Sequence, residues 1–180
     1  MAEVTWLGEI IKQYEAYKGK CERAATQVSD DDFFKPLDQA HNSIGMLMKH
    51  LGGNHRSRWH NFLTSDGEKS DRDRESEFVT VGETRASVMD KWDGGWETAF
   101  TSLRALQPDD LDRTITIRGE PLPVKGAILR NLAHVAYHTG QIVLIARNLV
   151  GENWKFLSIP PGKSKEYNES MRQEHGDWSS

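Results

Sequence analysis

The chain has 180 residues, of which 28% are charged and 37% hydrophobic, with a formal net charge of −4. This composition suits one domain with a single sizeable core, and it excludes the basic footprint of a nucleic-acid binder. No apolar run is long enough to cross a bilayer, and a single cysteine, Cys21, excludes an internal disulfide.

In chain order, residues 4–27 place Leu7, Ile10, Ile11, Tyr14 and Tyr17 at helical spacing. The first residues include early acids and no signal-type apolar core, so a cytoplasmic, reducing setting is expected. Cys21 has no histidine beside it in sequence and reads as a half-buried or surface thiol rather than a nucleophile. Ser29 to Asp32 can start a short turn, and Pro36 forbids a long helix there. A second helix is expected over 43–63, capped by Asn42 or Ser43. Gly52 and Gly53 inside it mark either a close approach of another backbone or ligand, or a local kink.

The mostly polar segment 64–83 lacks helical periodicity. A loop that long fits a crossover between two parallel helices better than a tight hairpin. Residues 84–106 form the third predicted helix, with Thr84 as N-cap and Val88, Trp92, Trp96, Phe100 and Leu103 as its apolar stripe. An alternating stretch with Gly119 and Glu120 predicts a β-hairpin within 113–123. The fourth helix runs 124–149 and stops at Gly151; an irregular tail follows from about residue 152. The expectation is an all-α single domain over 1–180, a four-helix bundle with a long crossover between helices 2 and 3 and a small β-hairpin before helix 4. Trp6, Trp92 and Trp96 either leave apolar surface for a homodimer or fill the monomer's own core.

His134 and His138 stand four apart on the last helix, so both imidazoles can reach one ion. Val135 follows His134, so this is not the HExxH motif. Taken alone, the pair also reads as two cleft histidines hydrogen-bonded to other side chains. Asn131, His134, His138 and Gln141 nevertheless form a polar stripe on what should be a core face, where imidazole nitrogens need partners. On the second helix, His50 interrupts an apolar run. His55, five residues on, is rotated about 140° away and cannot face the same ion. His55, Arg56, Arg58 and His60 read as exposed or rim residues, and His41 and His175 as solvated. The candidate ligands are therefore His50, His134 and His138.

With "NSIGMLMKHLGGNHRSRW" far upstream of "NLAHVAYHTGQIVLIAR", the chain resembles the DinB-like superfamily. Within it the likeness is to a YfiT-like branch of largely unassigned function, for which the resemblance implies a metal-dependent hydrolase or thiol transferase. The pattern is one histidine in helix 2 and an H-x-x-x-H pair before G-Q, met here by His50, His134, His138, Gly140 and Gln141. The resemblance implies a homodimer that binds a divalent metal, nickel or zinc, through the three histidines. It also implies transfer of a low-molecular-weight bacterial thiol to a small-molecule electrophile, although this chain shows no recognisable thiol-cofactor motif.

Three readings stay open: a metal-dependent enzyme, a non-catalytic metal-binding or stress-response protein, and a metal-free interaction bundle. Three neutral histidines leave a coordination position open, which fits catalysis. A fourth ligand from the crossover, for which Glu77 is the one candidate, would favour the non-catalytic reading. Tyr14, Trp59 and Tyr137 either line a pocket or pack ordinarily. Arg130 and Arg147 either meet an anionic substrate or are solvated. Gln141 either orients a histidine or holds a water.

Overall fold

The computed structural model describes residues 5–176. Four long helices make the bundle: α1 (Trp6–Ala25), then after the short α2 (Asp30–Phe33), α3 (Ile44–Trp59), α4 (Arg85–Ala105) and α5 (Val124–Val150). Strands β1 (Thr114–Ile117) and β2 (Glu120–Pro123) pair antiparallel before α5.

Three of the long helices begin where the sequence supplies a cap. Thr5 Oγ1 accepts from the Gly8 N–H at 3.1 Å, and Ser43 Oγ from the Met46 N–H at 3.2 Å. Thr84 and Ser87 form a reciprocal pair of side-chain to backbone bonds, at 3.0 and 3.1 Å. These bonds satisfy backbone donors that a helix start leaves orphaned. Ser29 caps α2 in the same way, and the chain leaves the helical path before Pro36.

Cross-helix contacts set the directions. Lys49 of α3 meets Glu83 just before α4, His55 packs on Trp96, and the Ser102 hydroxyl donates to the Trp59 carbonyl at 2.8 Å, so α3 and α4 run parallel. Tyr14 reaches Ile128 and Asn131 while Cys21 reaches Thr139, so α1 and α5 are parallel as well. α3 and α5 are antiparallel, because Asn54 meets Asn131 and His50 meets His134. The bundle is therefore up-down-down-up, and residues 64–83 make the expected crossover between the parallel pair.

Gly52 is where α3 and α4 touch. A Cβ on Gly52 would lie 2.5 Å from the Lys91 carbonyl oxygen, and one on Gly95 would lie 2.7 Å from the Gly52 Cα. Any side chain at this crossing would push the helices apart. The glycine pair in α3 thus marks close approach. The helix ends at Trp59, short of the expected 63, and Asn61 takes a left-handed φ of 49°.

Tyr14, Leu51, Trp59, Trp92, Trp96, Leu103, Ile128 and Ile142 are fully buried at the centre. Trp92 and Trp96 therefore belong to the monomer's own core, and of the three tryptophans read as surface candidates only Trp6 is exposed. The tail, expected to be irregular, carries a helix, α6 (Ser164–His175), with no buried residue. Cys21 is buried against the Thr139 hydroxyl at 3.3 Å, and burial pushes its thiol up to about 11. It is deeper than expected, in surroundings that disfavour the thiolate. Among the described residues no helix is long and apolar enough to cross a membrane.

The crossover is tied down by hydrogen bonds. Asp66 accepts backbone N–H bonds from Glu68 at 2.7 Å and from Arg118 and Gly119, the hairpin turn, at 2.8 Å each. Both turn residues have positive φ, 55° and 76°, as a two-residue hairpin turn requires. Gly67 N–H donates to the Thr116 carbonyl at 2.8 Å. These bonds bring the crossover and the hairpin to the end of the α3–α5 groove, beside the histidines.

Candidate metal centre

His50 projects from the middle of α3, and His134 and His138 from successive turns of α5. The antiparallel packing of those helices brings the three rings together. His134 Nε2 lies 3.3 Å from His50 Nε2 and 3.0 Å from His138 Nε2. Three nitrogens bound at about 2.0–2.1 Å to one ion, with angles of about 90–110°, would sit roughly 2.9–3.4 Å apart. Both separations fall in that range. This is also the one group of at least three metal-ligating side chains that closes to within 4.8 Å among the described residues.

The opposite ring nitrogens decide which way the lone pairs face. His50 Nδ1 is 2.7 Å from Glu77 Oε2. Burial raises the Glu77 carboxyl, but the bonds from His50 and from Arg72 outweigh it and hold the group below the usual carboxylate range. An ionised carboxylate can only accept, so His50 carries a proton on Nδ1 and turns Nε2 to the centre. His138 Nδ1 donates to Gln141 Oε1 at 2.7 Å, which leaves its Nε2 lone pair facing inward too. Desolvation pushes His134 down to about 3 and His138 down to about 4, helped by charge repulsion among the rings, so both are neutral near pH 7. His134 can donate one proton to one neighbour only. A cation at the centre satisfies all three lone pairs at once, so the donor set fits a divalent metal.

Glu77 is therefore an orienting group behind His50 rather than a fourth ligand beside the three Nε2 atoms. It is pinned by two bonds from Arg72, each 2.8 Å. A Cβ on Gly53 would lie 2.8 Å from the Glu77 carboxyl carbon, so the second glycine of the α3 pair makes room for this carboxylate. Gln141 accepts from His138 Nδ1, as the first of the two roles left open for it requires.

The other candidates separate cleanly. His55 is fully buried between Tyr14 and Trp96, at ring distances of 6.4 and 4.3 Å, and not at the rim as expected. The α3 face opposite His50 points at the α1–α4 side of the core, which a polar flanking sequence conceals. Arg58 also departs from expectation: its side chain is only 13% exposed and points into the α3–α5 groove. It stands eight residues after His50, so the spacing His50, Asn54, Arg58 is the signal that would have found it. Arg56, His60, His41 and His175 are exposed, as read.

Tyr14 and Trp59 do not line a pocket. Both are core residues that donate to Asn131 Oδ1, at 3.0 and 3.3 Å. Tyr137 is 63% exposed and touches His138 edge-on. Arg147 lies over the Phe156 ring, while Arg130 lines a cavity of about 210 Å³ that opens beside His50 and His134.

A family model described as "Protein of unknown function (DUF1572)" matches residues 2–163. No curated protein matches the chain. Among solved structures, YfiT from Bacillus subtilis, described as a probable metal-dependent hydrolase with an unusual four-helix bundle topology, superposes with a TM-score of 0.64. Its identity is 17%, over 86% of this chain and 93% of that one. A DinB-like protein from Bacillus cereus ATCC 10987 gives a TM-score of 0.54 and 15% identity, over 77% and 89% of the two chains. The four-helix bundle is thus a fold shared with both structures, and the chain belongs to the DUF1572 family.

Proposed function

We propose that this protein is a metal-dependent enzyme in which His50, His134 and His138 hold a divalent ion, nickel or zinc, and that it acts on a small electrophile. The observation that carries this reading is the convergence of three Nε2 atoms beside an open cavity, with Glu77 and Gln141 holding the Nδ1–H groups of His50 and His138 from behind. A structural site would be closed by a fourth protein ligand. Glu77, the residue placed to supply one, is occupied with His50 and Arg72.

An ion held there supplies Lewis acidity and lowers the pKa of a bound water or thiol. The protein's part is orientation. Glu77 and Gln141 hold Nδ1–H of His50 and His138 and so aim Nε2 at the centre, and the buried Asn131 hub joins α1, α3 and α5 just below the site. No carboxylate lines the cavity among its described residues, so the nucleophile's proton has no carboxylate base waiting. That favours a nucleophile already acidic enough to ionise on the metal, as a low-molecular-weight thiol is, and we assign transfer of such a thiol as the reaction. B. subtilis YfiT, described as a probable hydrolase, marks water as the competing nucleophile.

The test is metal analysis of the purified protein followed by turnover assays with water alone and with several small thiols. One equivalent of divalent metal is expected, falling strongly in His50→Ala, His134→Ala and His138→Ala but not in His60→Ala. A protein that binds no divalent ion under any condition removes the enzyme reading. A metal-loaded protein that hydrolyses esters or amides with no thiol dependence replaces thiol transfer with hydrolysis. We also assign a homodimer, supported by Leu129, Tyr137 and Leu144, which leave α5 with apolar side chains 50–63% exposed. A monomeric mass by light scattering across a wide concentration range removes that assignment.

A further inference from the structure

The cavity beside the histidines presents donors and almost no acceptors. Arg58, Arg72, Arg74, Arg118 and Arg130 all line it, with Asn54, and no carboxylate does so among the described residues. The arginines come from α3, the crossover, the hairpin turn and α5. Cationic side chains from four separate segments therefore converge on one volume next to His50 and His134.

Most of these arginines have partners outside the cavity. Arg72 is committed to Glu77 and bonds Glu68 at 3.1 Å. Arg74 bonds Glu75 at 3.3 Å, Arg130 bonds Glu120 at 3.1 Å, and Arg118 pairs with Glu68 at 3.4 Å. Arg58 differs. Its nearest carboxylate, Glu68, is 3.8 Å away, and its Nη1 is buried with no hydrogen-bond partner. Desolvation and the neighbouring guanidinium groups of Arg72, Arg130 and Arg118 push its pKa down, against the pull of Glu68. An unpaired buried guanidinium N–H is costly and rare. Gly67 makes the arrangement fit: a Cβ there would lie 3.1 Å from Arg58 Nη1 and 3.2 Å from its Cδ.

Asn54 adds a neutral donor by elimination. Asn131 Oδ1 accepts from Tyr14 and Trp59, so Asn131 Nδ2 must donate, and it does so to Asn54 Oδ1 at 3.0 Å. The Asn54 oxygen is thereby used, and its amide N–H groups are left on the cavity side.

We infer that this cavity binds an anionic group of the substrate, a carboxylate or a phosphate, with Arg58 as its principal contact and Asn54, Arg118 and Arg130 around it. The planar guanidinium fork of Arg58 matches either oxyanion. As a statement about the substrate, this rests on the metal-enzyme reading. It places the substrate's charge about two turns along α3 from His50.

The test is calorimetric titration of the full-length protein, metal-free and zinc-loaded, with inorganic phosphate and with acetate. The metal-free protein is expected to bind one equivalent of at least one of these anions, more weakly as salt rises. Arg58→Gln should weaken that binding by about tenfold or more, with metal content unchanged, and Arg58→Lys should recover part of it. Arg130→Gln, at a more exposed position, should weaken it more mildly and serves if Arg58→Gln does not fold. A preference for phosphate or for acetate names the substrate's group. Absence of binding by both anions, or wild-type affinity in both the Arg58→Gln and Arg130→Gln proteins, overturns the inference. The two readings fail separately: anion binding without metal binding removes only the metal centre, and metal binding without anion binding removes only the anion site.

Discussion

Replacing Glu77 by glutamine tests the orienting role assigned to the crossover. The side chain is 7% exposed and takes three short bonds, from His50 at 2.7 Å and twice from Arg72 at 2.8 Å. Glutamine keeps the shape but loses the charge, and its amide nitrogen must then face either the Arg72 guanidinium or His50 Nδ1–H, donor against donor. Removing one partner of a buried ion pair costs about 3–5 kcal/mol. Glutamine retains one acceptor, so a loss near about 3 kcal/mol is expected in urea unfolding of the metal-free protein. Metal affinity should fall separately, by about 10–100-fold, because His50 is no longer held with its Nε2 lone pair inward. Competition titration with a chromophoric chelator, run under fully native conditions, reads the second effect apart from the first. Unchanged metal affinity in a folded Glu77→Gln protein would refute the orienting role.

Two further perturbations follow from the same geometry. Gly95→Ala should destabilise by about 1–3 kcal/mol, because its Cβ meets the α3 backbone at Gly52. Neighbouring Gly94→Ala, with nothing within 4 Å of the added carbon, should instead stabilise by up to about 1 kcal/mol; thermal unfolding of both decides, and equal losses would discredit the close-crossing account. The metal-free protein should also be acid-labile through His55. Burial depresses its folded-state pKa to about 3, below the unfolded value of about 6.5. The unfolded state therefore binds the extra proton, so this stability is fully present above about pH 6.5 and is lost as pH falls toward 3, by up to about 1.4 kcal/mol per pH unit. His55→Leu should reduce the slope of stability against pH by about one proton over that window; an unchanged slope in unfolding curves would show that His55 does not titrate this way.

The four long helices of the bundle were legible in the sequence, because 3.6-residue periodicity and the caps Ser43 and Thr84 are local properties that packing only had to accept. Two of the three candidate ligands were legible as well, since the spacing of His134 and His138 places both on one helix face whatever the helix packs against. The choice of His50 over His55 was legible as a rotation about the α3 axis. What that rotation could not reveal is where the other face goes. His55 lies in the core because α1 and α4 cover that side with Tyr14 and Trp96, a fact of packing between segments far apart in the chain. The same holds for Trp92 and Trp96, whose stripe is amphipathic in either a monomer or a dimer.

The positions of Glu77, Arg58 and Arg72 around the histidines depend on how distant segments pack. Nothing local in the polar crossover distinguishes a carboxylate that will sit behind His50 from one that will stay in water; the parallel run of α3 and α4 and the missing side chain at Gly53 bring it there. Arg58 sits in a stretch whose composition reads as surface. It becomes a mostly buried cation whose Nη1 has no hydrogen-bond partner because the hairpin and crossover close over the groove, Asp66 binding the turn at Arg118 and Gly119 while Gly67 leaves room for the guanidinium. Local pattern reports what each helix face can tolerate. Which charge meets which cavity depends on loop closure between distant residues, and that is set by the fold.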